Sequence, residues 1–326
     1  MKSFKKFTLQ NGLRIILAPQ KDSVATTILV LVEAGSKYET KEINGLSHFL
    51  EHMCFKGTKN RPRAIDIAGE LDGLGAEYNA FTSQEWTGYF VKVETHKNKK
   101  ALEIISDLYL NPVFNAAAIE KEKGVIIEEI NLYEDMPPRK IHDLFMNLLY
   151  GDQPAGWDIA GRKEVIRKLT QEDFLKYRQA HYVAKATAII VAGAFEPKKF
   201  LAEIEDQFVS LAVGEKAGKV GTREEQTKPA LRIQPKESDQ THLVLGCRAF
   251  GIFDPRRYSL EVLADILGGG MSSRLWQKVR EQLGAAYYVR SEVNLFSDHG
   301  YFAVSAGVDH KKLETVIKAI LEELQK

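Results

Sequence analysis

The sequence predicts an α+β protein built from two related domains, each an antiparallel-rich sheet with helices packed on it, the second copy incomplete. Three observations lead there. Runs of β-branched and alternating residues are interleaved with longer amphipathic, helix-forming stretches. The order strand, helix, helix, strand pair, helix occurs between residues 24 and 110 and again between 241 and 325. Between the copies lies a polar, glycine-containing stretch, Val213 to Lys228.

Taken in order, Phe4 to Pro19 reads as a hairpin turning at Asn11-Gly12. Val24 to Glu33 is a longer strand ending at the loop signal Ala34-Gly35-Ser36. A helix is expected from about Gly45 to Phe55, closed by Lys56-Gly57. A second covers 64–73. Ala76 to Thr82 and Trp86 to Val93 read as an antiparallel pair, the first polar on alternate residues as an edge strand would be. Helices follow over 97–110, 116–134 and 139–150, then a loop over 151–161. Thr170 with Asp173 resembles a capping box for a helix to His181. Ala186 to Ala192 is a buried-type strand and 198–211 a helix.

After the polar stretch the pattern restarts. Strands are expected over 241–249, 287–295 and 300–308, and helices over 258–267, 271–283 and 311–325. The division is therefore an N-terminal domain over 1–213, a linker over 214–229 and a partial C-terminal domain over 230–326. By comparison with the first copy, the second is shorter by roughly 90 to 100 residues. The expectation is a fragment, or a lobe completed by a partner.

Composition narrows the function. Lys plus Arg (45) and Asp plus Glu (44) nearly cancel, which argues against general nucleic-acid or membrane-surface affinity. No apolar run is long enough to span a membrane, and the basic start Met1 to Lys6 is followed by a strand pattern, not a signal core. Cytoplasmic is the default location. Two cysteines far apart in sequence, Cys54 and Cys247, make no disulfide framework.

The chemistry concentrates in Gly45 to Phe55, which contains His48-x-x-Glu51-His52. On a helix His48 and His52 leave the same face one turn apart, as two ligands of one cation must. Glu51 borders that face, where a carboxylate can take a proton from a metal-bound water. The spacing is the inverse of the His-Glu-x-x-His zinc helix, the inverzincin signature. The plain alternative is a helix with two half-buried histidines and a surface glutamate. A catalytic zinc takes three protein ligands and a water, so a third ligand must come from elsewhere. The helix near 120 offers Glu120, Glu122, Glu128, Glu129 and Glu134. Glu122 and Glu129 are seven apart and share a face. Val125, Ile126 and Tyr133 flank Glu129 at helical spacing, so it faces partly inward, whereas Glu120 and Glu134 read as solvated.

These segments together resemble the pitrilysin/insulinase zinc peptidases, nearest the branch of the mitochondrial processing peptidase and its bacterial relatives. Gly45 to Thr58 resembles that family's helix nearly residue for residue. Asn79-Ala80-Phe81-Thr82 with Glu85 and Thr87, Glu128-Glu129-Ile130 with Asp135 and Pro137, and Leu267 to Arg280 followed by Leu283 to Tyr287 resemble three further segments, in order. The family places a glutamate about 76 residues beyond its second histidine, and from His52 that count reaches Glu129.

The resemblance implies one Zn2+ per chain held by His48, His52 and Glu129. It makes Glu51 the general base that activates the zinc-bound water, and Glu122 a supporting acid. Arg280 and Tyr287 match a pair that reaches the substrate near the metal. Asn79, Ala80 and Phe81 match the edge strand on which an extended peptide adds. Cys54 reads as a packing residue. His96, His142, His181, His242, His299 and His310 lack ligand spacing. The expectation is a zinc metalloendopeptidase acting on peptides or on unfolded, presequence-like segments, as a homodimer or with a related subunit. The rival is a non-catalytic subunit of a processing complex. A structural zinc site would need a fourth protein ligand, and none is evident.

Overall fold

Helices form over stretches that carry an apolar stripe at helical spacing, and strands over extended runs such as Ala25–Val32, whose side chains alternate between buried and half-buried. A computed structural model describes residues 4–326; Met1–Ser3, the beginning of the basic start read above, lie outside them. In chain order the elements are β1 (Lys5–Thr8), β2 (Arg14–Pro19), β3 (Ala25–Val32), α1 (Leu46–Cys54), α2 (Ala64–Gly73), β4 (Glu77–Thr82), β5 (Thr87–Glu94), α3 (Asn98–Leu110), α4 (Ala116–Glu134) and α5 (Pro137–Tyr150). There follow α6 (Lys163–Ile166), α7 (Gln171–His181), β6 (Thr187–Gly193), α8 (Pro197–Gln207), β7 (Thr241–Ala249), α9 (Arg257–Gly268), β8 (Ala286–Leu295), β9 (Gly300–Val308) and α10 (Leu313–Gln325).

The described chain packs as two units: residues 4–130 with 158–220, and residues 131–157 with 221–326. The first holds a six-stranded sheet in the order β1-β2-β6-β3-β5-β4. Only the β2–β6 pair is parallel. The β3 residues alternate between buried and half-buried, so Ile28, Val30 and Val32 reach one core with Phe49, Leu50 and Met53 of α1. Strand β4 is the sheet's edge and exposes every second residue, as its polar alternation foretells. Thr170 caps α7 as expected: its N–H and its hydroxyl both donate to Asp173, each at 2.8 Å.

The second unit holds a three-stranded sheet in the order β7-β9-β8. This repeats the order β3-β5-β4, so the duplication read from the sequence is also one of topology. The residues of β9 are buried on both faces. Phe302, Val304, Ala306 and Val308 meet Leu267 of α9 and Val316 and Ile320 of α10. Tyr301 and Ala303 meet Phe145 and Leu149 of α5. That second contact is why residues 131–157 pack with the C-terminal strands, a division the linear order of the chain does not reveal.

Two details differ from the sequence reading. Residues 276–282 form a wide π-helical coil in which Leu283 N–H donates to the Lys278 carbonyl (3.2 Å), and it buries Val279. The packing units divide at Val220/Gly221, inside the expected linker. Before that point the segment is fastened to the first unit by Lys185–Glu215, Lys216–Glu33 (2.5 Å) and Lys219–Glu85 ion pairs.

Candidate metal centre

Helix α1 begins after Gly45, whose φ of 101° lies in the left-handed region that favours glycine. A β-carbon there would come within 2.6 Å of the Ala160 carbonyl oxygen and 2.8 Å of Ile166 Cδ1. With no capping side chain at Gly45, the helix is capped by Glu39. This buried carboxylate accepts the N–H groups of Gly45 (2.8 Å) and Ser47 (2.6 Å) and the side-chain amide of Asn44 (3.1 Å). The Ser47 hydroxyl meets the Tyr177 phenol at 2.7 Å. Leu46, Phe49, Leu50 and Met53 anchor the inner face, so His48, Glu51 and His52 are held half-buried on the other.

The imidazoles of His48 and His52 lie one turn apart, ring centroids 4.8 Å from each other. Glu129, on α4, brings Oε2 to 3.6 Å from His48 Nε2 and 3.5 Å from His52 Nε2. One ligand atom from each residue lies within 4.8 Å of the others. Ligands at tetrahedral corners around a zinc with bonds of about 2.0–2.1 Å are about 3.3–3.4 Å apart. The observed spacing and the donor set of two imidazoles and a carboxylate fit such an ion.

Glu122 stands one heptad before Glu129 and is buried. Its Oε1 accepts from His52 Nδ1 (3.1 Å) and its Oε2 pairs with Lys56 Nζ (2.7 Å). Since a carboxylate only accepts, Nδ1 carries the proton and the His52 Nε2 lone pair is directed to the cation position. Burial works to raise the Glu122 carboxyl, but the His52 and Lys56 contacts outweigh it and hold it below the usual range. Glu51 is the reverse. Burial raises its carboxyl above the usual range against a 2.5 Å hydrogen bond donated by the Thr82 hydroxyl.

Asn79, Ala80 and Phe81 lie on edge strand β4. Asn79 Oδ1 accepts the Ala80 N–H (2.9 Å), and a β-carbon on Gly88 would strike the Phe81 ring. Arg280 and Tyr287 belong to the second unit. There the Arg280 guanidinium lies over the Trp276 ring and donates to the Tyr287 carbonyl (2.7 Å), while the Tyr287 side chain is exposed. Cys54 is buried against the Tyr89 phenol, and burial pushes its thiol up to about 11. His96 is exposed, His142 pairs with Glu292, His242 meets Tyr288 and His310 meets Thr241. His299 pairs with Asp298, and His181 packs between Tyr38 and Tyr177.

The sequence reading assigned no part to Glu39, Lys56 or Thr82. Lys56 stands four after His52, so helical spacing held a signal for it, whereas Thr82 meets Glu51 across 31 residues and had none. Glu39 had none, because its cap reaches back across a loop.

Two family models match the chain: Insulinase (Peptidase family M16) over residues 14–163 and Peptidase M16 inactive domain over residues 168–326. A Rickettsia felis relative described as an uncharacterized zinc protease is 38% identical over 327 residues, covering 99% of this chain and 78% of its own. The uncharacterized zinc protease YmxG of Bacillus subtilis is 37% identical over 320 residues, covering 98% of this chain and 77% of its own. A protease structure from Helicobacter pylori superposes with a TM-score of 0.93 at 24% identity, covering 99% of this chain and 79% of that one. A peptidase M16 inactive domain from Pseudomonas fluorescens does so with 0.89 at 20%, covering 99% and 80%. At those identities the two structures speak for the fold.

Proposed function

The chain belongs to the insulinase family, peptidase family M16, and from that premise we propose that it is a zinc endopeptidase of peptides and unfolded polypeptide segments. The observation that carries the proposal is the convergence of His48, His52 and Glu129 on one point, with the Glu51 carboxylate on the same face of α1. The relatives named zinc proteases support the identity of the ion.

His48, His52 and Glu129 would hold one zinc, and Glu122 keeps His52 in the ligating tautomer. Bound there, zinc supplies Lewis acidity and makes water nucleophilic at neutral pH. Glu51 takes the proton from the attacking water and returns it to the leaving amine nitrogen. Its half-buried position suits a base that must be ionised at the start and protonated midway. An extended substrate would add to the outer edge of β4, reading main chain rather than side chain. The Ala80 N–H, capped by its neighbour Asn79, would exchange that contact for a substrate carbonyl. Arg280 and Tyr287 join the proposal on the family resemblance, as donors to the developing oxyanion. Action as a homodimer or with a related, processing-peptidase-like subunit is part of the same reading. Among the described residues no helix is long and apolar enough to cross a membrane.

The test is elemental analysis for zinc on wild type, Glu129→Gln and Glu51→Gln, with hydrolysis of a quenched unstructured peptide on the same samples. The proposal expects one zinc per chain in wild type, its loss in Glu129→Gln, and a zinc-loaded but inactive Glu51→Gln. No zinc in wild type after resupply would overturn it. Zinc without hydrolysis would favour the non-catalytic subunit.

A further inference from the structure

We infer that Thr82, the last residue of β4, is a positioning residue that sets the orientation of the Glu51 carboxylate. The inference rests on the proposed peptidase reading and deepens it at one contact. Burial along β4 alternates, so Tyr78, Ala80 and Thr82 share the more buried side while Glu77, Asn79 and Phe81 are exposed. From that side the Thr82 hydroxyl donates to Glu51 Oε2 at 2.5 Å.

The direction of this bond is set by its surroundings. Opposite Thr82 in the β4–β5 register stands Thr87, whose Oγ1 lies 3.4 Å from Thr82 Oγ1. Thr87 is fully buried and its own hydroxyl proton goes to the Ala34 carbonyl (2.9 Å). A hydroxyl has one proton, so Thr87 can only accept from Thr82 and offers it no competing donor. The single Thr82 proton takes the shorter, charge-assisted contact to the carboxylate. Oε2 is thereby engaged, and Oε1 is the oxygen left to meet the attacking water.

Glu51 is carried on a rigid helix, but three side-chain torsions lie between that helix and the carboxylate oxygens. A general base must bring its oxygen within about 2.6–3.2 Å of the proton it removes. Thr82 removes the torsional freedom from that requirement. Its place adds a second consequence. Residues two apart on a strand are separated by about 6.6–6.8 Å. Ala80 and Thr82 are such a pair, so the strand that would seat the substrate backbone also seats the base. Register of substrate and aim of the base are then set by one rigid segment.

The experiment compares full-length wild type, Thr82→Val, which keeps the shape and removes the donor, and Thr82→Ser, which keeps the donor. Zinc content, kcat and KM on a quenched unstructured peptide, and a crystal structure of each are measured. General-base catalysis is worth about 100- to 10,000-fold, and loss of aim forfeits part of it. Thr82→Val is expected to hold one zinc, keep KM within about twofold and lose about 10- to 100-fold in kcat, with Thr82→Ser within about threefold of wild type. The Glu51 carboxylate is expected to leave its wild-type position in Thr82→Val and keep it in Thr82→Ser. An unchanged kcat in Thr82→Val, or a Thr82→Ser as slow as Thr82→Val, overturns the inference. If wild type hydrolyses nothing, it is the peptidase reading that has failed. The crystal structures then decide this contact separately, and an unmoved Glu51 in Thr82→Val overturns it.

Discussion

If the proposed zinc site is right, removing the Glu122 carboxylate weakens zinc binding without touching any of the three proposed ligands. Glu122 is 4% exposed and accepts from His52 Nδ1 at 3.1 Å. Two variants separate its charge from its shape. In Glu122→Gln the amide oxygen still accepts from Nδ1, but the amide nitrogen faces the Lys56 ammonium, which stands 2.7 Å from Oε2. Lys56 is a third exposed and can swing to solvent, so the lasting loss is the charge assistance of the His52 bond. Charge-assisted hydrogen bonds contribute about 1.5–3 kcal/mol and neutral ones about 0.5–1.5 kcal/mol. The difference, about 1–1.5 kcal/mol, is about a fivefold to tenfold loss of zinc affinity. Glu122→Ala removes the bond altogether and frees the imidazole to change tautomer. The expected loss is about 10- to 100-fold, the range of outer contacts at metal sites. The assay is competition with a zinc chelator of known affinity at neutral pH, with circular dichroism to confirm the fold. A Glu122→Ala protein that binds zinc within twofold of wild type would refute the reasoning, and with it the assignment of His52 Nδ1 as the donor.

Two further expectations concern the frame around the site. Burial between Tyr38 and Tyr177 pulls His181 from 6.5 down to about 4, so it is neutral in the folded chain. The unfolded chain takes up a proton below about 6.5, so this stability is whole above that pH and is lost as pH falls toward 4, about 3 kcal/mol in all. Urea unfolding of metal-free protein at both pH values should show a smaller acid loss in His181→Leu; equal losses would contradict it. Arg61 is 4% exposed and its guanidinium donates to Asp107 (2.8 Å), Glu103 (2.8 Å) and both Glu70 oxygens (3.0 Å each). Arg61→Met leaves the buried Asp107 carboxylate without its cation, and should cost about 3 kcal/mol in urea unfolding. A loss under about 1 kcal/mol would mean Thr58, Asn60 and Asn111, which also donate to Asp107, suffice.

What the chain by itself determined is what depends on near neighbours. The alternation in β3, the Thr170–Asp173 cap of α7 and the one-turn spacing of His48 and His52 involve residues a few places apart, whose geometry is set as soon as the backbone coils or extends. The repeated element order is likewise written along the chain, and it returns in the shared orders β3-β5-β4 and β7-β9-β8. From residue patterns alone the candidate third ligand remained one of several glutamates on α4, and only the family resemblance singled out Glu129. The tertiary structure decided which of them meets the histidines, because only packing of α4 beside α1 brings Glu129 to 3.5 Å of His52 and turns Glu120 outward. It decided that Thr82 grips Glu51 across 31 residues and that Glu39 caps the helix of His48 and His52 from a preceding loop. It also decided that residues 131–157 leave the N-terminal strands and pack under Tyr301 and Ala303. Those contacts join residues distant in sequence. Their selection depends on the burial of the whole core, which no local propensity encodes.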